Sequence, residues 1–204
     1  SFLFYSYFGI DIGSETNELF SAYSNRAYRD LARTIRGIGG KKTTIKYDRK
    51  QEVAKLMFQE IISCPSKKRE DFDDWHSGLC NKIADIFKPI AELKYGQTQK
   101  WLNMTIKYLW LNKVGKTESF FKYNEKHLHI PLDSIILNGL YSEHKTYFVN
   151  NDIKWSKNSS WSRIEKDTYV KMQNAFRDYF KKHNKSNPLD WESEKWVEWN
   201  NNKM

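Results

Sequence analysis

Apolar residues recur along most of this chain at the three- and four-residue spacing of a helix with one buried face. Leu19, Phe20, Tyr23, Ala27, Leu31 and Ile35 form such a stripe and predict a helix over 14–36, with Ser14 as N-cap and the glycines from Gly37 onward as its stop. Asp48 begins a second helix through 62, carrying Val53, Leu56, Met57 and Glu60 in register, and Pro65 ends it. A third runs over 69–87 with Trp75, Leu79, Ile83 and Ile86 inward. After a short connection over 88–97, bracketed by Pro89 and Gly96, comes the most apolar helix, 98–111. It is apolar on most faces and is expected to be central. Its one polar stripe is Lys100, Asn103 and Lys107, the arrangement of a solvated edge.

A polar loop is expected up to His129. Asp133 then caps a helix over 134–140, a long amphipathic helix covers 162–182, and Pro188 and Asp190 open a last helix bearing Trp191, Trp196 and Trp199. Strand signals are confined to 43–47 and 146–149. The fold class is all-α. The expected architecture is a single helical domain over 1–204, in two lobes around a cleft, with a buried central helix and a helix-hairpin-helix-like segment.

Charge narrows the partners. The 204 residues carry a formal net charge of +9, which suits binding to polyanions. The basic residues are dispersed rather than gathered in a tail. The 8 Trp, 12 Tyr and 12 Phe either fill gaps between helices or stack on bases. Two cysteines, Cys64 and Cys80, are too few for a cysteine-held zinc or iron–sulfur site and are read as reduced, in keeping with a cytoplasmic protein. No apolar run is long enough to span a membrane, and no membrane partner is expected. Residues 1–10 are apolar but lack a basic start and a small-residue cleavage site, so they read as a packed arm.

Among candidate chemistries, Gly37, Gly39, Gly40, Lys41 and Lys42 do not make a nucleotide-binding P-loop, although Lys41 and Lys42 suit contact with a nucleic-acid backbone. His127 and His129 form a lone H-x-H pair with no further ligand nearby in sequence. No metal site and no cofactor are expected. Arg69 and His76 have the Arg-x6-His spacing similar to that of HEPN-type helical ribonucleases, in which both residues flank a phosphate at a dimer interface.

The segment 93–137 is the most informative. Gly96-Gln97-Thr98-Gln99-Lys100 places a Lys four residues after a turn glycine, at the head of the apolar helix. Pro131-Leu132-Asp133 enters the next helix 33 residues after Lys100. This pattern resembles the helix-hairpin-helix DNA glycosylases, particularly the 8-oxoguanine glycosylase/lyases, over about a quarter of the chain. The departure is in the hairpin, where Gln97 and Thr98 stand in place of a small apolar residue and a second glycine.

The resemblance implies a DNA glycosylase/AP lyase with Lys100 as nucleophile and Asp133 as assisting carboxylate. It also implies that Gly96, Gln97 and Thr98 touch the DNA backbone. A Lys near a helix start and ringed by apolar groups favours its neutral amine, as such a nucleophile requires. A carboxylate held at a helix N-cap stays ionised and can stabilise a cationic sugar or move a proton. The alternatives are the HEPN-like ribonuclease using Arg69 and His76, and a non-catalytic nucleic-acid-binding or interaction module whose Trp-rich acidic C-terminus docks a partner.

Overall fold

A computed structural model describes residues 2–37, 43–64, 68–156, 159–183 and 187–201. Lys41 and Lys42 lie outside them. The described residues contain ten α-helices and no strand: α1 (Phe2–Phe8), α2 (Thr16–Ala32), α3 (Thr43–Ile62), α4 (Arg69–Phe87), α5 (Tyr95–Leu111), α6 (Glu118–Asn124), α7 (Ser134–Glu143), α8 (Lys145–Asn150), α9 (Lys166–Lys182) and α10 (Pro188–Asn201). No helix among them is long and apolar enough to cross a membrane.

Both strand expectations are overturned. Residues 43–47 form the first turn of α3, where Ile45 and Tyr47 are exposed, and 146–149 lie inside α8. β-Branched residues prefer strands only when a partner strand is there to pack against. With none at hand, the helix satisfies each backbone group within its own segment. The loop expected before His129 also contains structure, a 3-10 turn over Gly115–Thr117, α6, and a second 3-10 turn over Glu125–His127. The apolar arm at the start is helical. Phe4 and Phe8 of α1 pack edge-on against Tyr23, and Gly9 closes the helix at φ +74°, a conformation that favours glycine.

Helix α5 sits in the middle of one continuous core. It packs on α2 and α4 on one side and on α9 and the turn Trp161–Arg163 on the other. Ser24 and Ala27 on α2 are small, which lets Trp101 of α5 approach closely and donate its Nε1–H to the Ser24 carbonyl at 3.0 Å. α10 lies on α7. The contact runs through Gly139, where a Cβ would overlap the Trp199 ring. The Trp-rich C-terminal helix is therefore folded onto its own chain: Trp191 and Trp199 are buried, and Trp199 Nε1 donates to Glu143.

Gly96 plays a comparable part at the head of α5. A Cβ there would overlap the Trp161 carbonyl oxygen and lie 2.9 Å from the Ser162 carbonyl carbon. Its N–H donates to the Ile164 carbonyl at 3.0 Å, stapling the 161–164 segment to the helix.

Candidate functional site: a buried lysine–carboxylate cleft

The polar stripe of α5 does not face water. Lys100, Asn103 and Lys107 are all buried, and each meets a partner from a distant part of the chain. Lys100 Nζ donates to Asp133 Oδ2 at 3.0 Å. Asn103 joins a buried network described below. Lys107 Nζ donates to Glu192 of α10. α5 is thus polar where α7 and α10 deliver carboxylates to it.

Asp133 divides its two oxygens between two tasks. Oδ1 accepts from the Ile135 and Ile136 N–H groups, each at 3.0 Å, and caps α7. Oδ2 faces Lys100 and also accepts from Trp196 Nε1 at 3.2 Å. Burial by itself would raise the pKa of this carboxyl. The Lys100 charge and the hydrogen bonds from Ile136, Lys100 and Trp196 outweigh that and hold it below its ordinary value. Asp133 is therefore ionised at neutral pH, with one oxygen directed at the amine.

The register of the two residues has a physical cause. Gln99, next to Lys100, donates to the Leu132 carbonyl at 3.2 Å, next to Asp133. Gln173 of α9 clamps Ile130 on both sides, accepting from its N–H at 3.1 Å and donating to its carbonyl at 2.8 Å. Asn103 donates to Gln99 Oε1 and to Tyr169 Oη, and its Oδ1 lies 2.8 Å from His76 Nε2. Tyr169 Oη is 2.8 Å from His129 Nδ1, and His129 Nε2 is 2.7 Å from Asp73, which Arg177 grips with both Nη atoms.

Burial pushes His129 down to about 4 despite Asp73, so it is neutral at pH 7. A neutral His129 donates through Nε2 to Asp73 and accepts the Tyr169 hydroxyl proton at Nδ1. Asp73 itself is held well below the carboxylate range; burial opposes this, and the hydrogen bonds from His129 and Arg177 prevail. The network fixes α4, α5, α9 and the 128–132 segment to one another, and through them Asp133 to Lys100.

Lys100 and Asp133 open into a cleft of about 470 Å³. Tyr7, Tyr108, Trp161 and Trp196 bring aromatic surface to it, Arg26 and Arg29 of α2 and Arg33 just past its end form a basic wall, and Lys107 and Glu192 also line it. Glu192 is fully buried, and its Oε1 has no hydrogen-bond partner although Oε2 is bound by Lys107. Burial raises its pKa, and the charges of Lys107 and Lys100 counter this only in part.

Other residues singled out by sequence fall elsewhere. The N–H groups of Gln97 and Thr98 both donate to the Lys94 carbonyl, and that of Gly96 to Ile164, so none is directed at a ligand. The Gln97 side chain is also engaged, by the Lys94 N–H and by Thr34. Gly96 lies inside the first turn of α5 and not in the connection before it. His76 is fully buried, so no substrate phosphate can reach it, while Arg69 bonds Asn174 at 2.7 Å. The HEPN-like arrangement needs both residues at a surface. His127 and His129 both lie against the Phe72 ring, and among the described residues no group of three His, Cys, Asp or Glu converges as metal ligands.

Trp101 and Trp110 do not line the cleft. Its aromatics are Tyr108 of α5 and, from distant parts of the chain, Tyr7, Trp161 and Trp196, to which no local signal around Lys100 points. Glu192 lies 85 residues from Lys107, and only the i+7 position of Lys107 relative to Lys100 hints at a second pair.

Fold and site define an all-helical protein with two buried lysine–carboxylate pairs in one cleft. Comparison with known proteins finds no matching family model, no matching curated relative and no matching solved structure.

Proposed function

We propose that this chain is a DNA glycosylase with AP lyase activity, with Lys100 as nucleophile and Asp133 as the assisting carboxylate. The supporting observation is the meeting of these two residues, 33 positions apart, in a cleft large enough for an extruded nucleotide, with Asp133 Oδ2 turned to the amine. In this reading Lys100 transfers a proton to Asp133 and its amine attacks C1′ of the sugar. The N–C1′ bond forms as the bond from C1′ to the base breaks, and the base leaves with the electron pair and takes up a proton. A proton passes from the bound nitrogen to O4′ as the C1′–O4′ bond breaks, which opens the ring and yields a protonated imine between Lys100 and C1′. Removal of a C2′ proton then expels the 3′ phosphate by β-elimination. Asp133 passes the proton it received to the departing base, and its Oδ2, negative again, faces the positive charge on the sugar.

The cleft interior also bears on the substrate. Lys107 offers N–H donors beside the unpartnered Glu192 Oε1. A donor and an acceptor side by side complement a base edge that carries C=O next to N–H, and a buried acceptor left open penalises a base lacking the N–H.

Borohydride trapping tests the assignment. The expected result is a covalent adduct on duplex DNA bearing an abasic site or an excisable base, present in the wild type and absent in Lys100→Gln. Failure to trap on any duplex, the abasic one included, would refute the lyase assignment.

A further inference from the structure

The cleft shares arginines of α2 and of the turn after it with two other cavities. Arg29 lines both the Lys100 cleft and a cavity of about 610 Å³ bounded by α2, α3 and residues 8–10. Arg33 lines both the cleft and a cavity of about 660 Å³ on its other side, where Arg36 and Arg163 also stand. The shared arginines link the three into a series, here called the groove, whose middle member holds Lys100.

The cations of this groove are set apart by their place around the cleft. Arg26, one turn before Arg29, is committed: it pairs with Asp30 at 2.7 Å and its guanidinium lies 4.3 Å from the centre of the Tyr7 ring. Arg29, Arg33, Arg36 and Arg163 are exposed, and among the described residues no ion pair or hydrogen bond holds their side chains. Lys50, across the first cavity, sits among like charges. Burial comes first in lowering its pKa, and the neighbouring charges of Lys46 and Arg29 lower it further.

Of the carboxylates facing the groove, Asp30 is taken by Arg26 and Tyr108, Glu92 by Lys94, Asp133 by Lys100 and Glu192 by Lys107, leaving Glu18 and Glu165. Four residues of helix separate Arg29 from Arg33 by about 6 Å along the axis, roughly two nucleotide steps at about 3.4 Å each.

We propose that the Arg29–Arg33 face of α2, continued by Arg36 and Arg163, is the track that holds the sugar–phosphate backbone of the DNA strand on both sides of the Lys100 cleft. The proposal rests on the DNA reading above and assigns to α2 the contact that the occupied N–H groups at the start of α5 do not offer. The strand enters along one cavity, presents one sugar at Lys100, and leaves along the other. Such contacts fix position without reading sequence.

The test is binding, by fluorescence anisotropy, of a duplex carrying a tetrahydrofuran abasic analogue, which cannot form an imine, across a salt series. Arg29→Gln/Arg33→Gln is expected to reduce the slope of log affinity against log salt by about two, and to weaken binding at 0.1 M salt by about ten-fold per arginine. Its unfolding temperature should stay that of the wild type, because both side chains are exposed and unbonded. Lys171→Gln, which removes an exposed cation of α9 outside the groove, is expected to leave the slope unchanged. An unaltered slope and affinity in the double variant would overturn the track, as would a wild type that does not bind the duplex. Borohydride trapping on abasic DNA separates the two claims. Wild-type trapping with an unaffected double variant removes the track alone. Arginine-dependent binding without trapping keeps the track and removes the lyase.

Discussion

Lys107→Met isolates the second buried pair. Lys107 is 8% exposed and Glu192 0%. Removing the ammonium leaves a carboxylate with no partner for either oxygen, since Oε1 already has none. Breaking a buried pair from one side costs about 3–5 kcal/mol, or about 10 °C in unfolding temperature for a chain of this size. The cost depends on pH with a definite sign. The folded-state pKa of Glu192 is already raised by burial, and loss of the Lys107 charge, which lowers it, raises it further. A carboxyl raised in the folded state leaves stability intact below its unfolded pKa of about 4.3 and removes stability as pH climbs through the folded value. Lys107→Met should therefore be most damaging at pH 8 and recover toward pH 5, followed by urea unfolding at both. Lys107→Met/Glu192→Leu, which removes both charges, should return to within about 1 kcal/mol of the wild type. A single-variant loss below about 1 kcal/mol at pH 8, or one that does not change with pH, would refute the reasoning.

Four further outcomes are expected. Glu192→Gln turns the open acceptor into a partial donor; it should lower base excision while leaving borohydride trapping on abasic DNA intact, and parallel loss of both would tie Glu192 to the imine chemistry instead. Asp133→Asn keeps a good N-cap but sets an amide against the Lys100 ammonium; trapping should slow by about 10²–10⁴-fold, while circular dichroism shows the same helix content. Gly96→Ala should cost about 3 kcal/mol or more in denaturant unfolding because its Cβ meets backbone, whereas Gly78→Ala, in open space on a helix, should gain up to about 1 kcal/mol. Acid should destabilise the protein between about pH 6.5 and 4: His129 binds its proton near 6.5 when unfolded but only near 4 when folded, so stability is complete above that window and falls through it. His129→Gln should flatten that part of the stability–pH curve.

The hydrophobic period by itself determined that the chain is helical, and the limits of α4 at Arg69 and Phe87 and the capping of α7 by Asp133 follow from nearby residues alone. These features depend on interactions within a few positions, which a sequence displays directly. The meeting of Lys100 and Asp133 was implied only by the resemblance to the helix-hairpin-helix glycosylases, since nothing local brings together residues 33 positions apart. What the tertiary structure decided is whether a polar position faces water or a partner. Lys100, Asn103 and Lys107 have the spacing of a solvated edge, and they are buried because Asp133, Tyr169 and Glu192 arrive from 33, 66 and 85 residues away.

The N–H groups at Gly96, Gln97 and Thr98 had the place of an anion site, yet the Lys94 and Ile164 carbonyls occupy them. The tryptophans of α10 had the look of a docking surface, yet they pack on the protein's own chain: Gly139 lets Trp199 seat against α7, and Trp196 lines the cleft. Periodicity records which face of a helix is apolar. Only the packed chain brings distant charges within reach, and burial then makes their pairing obligatory.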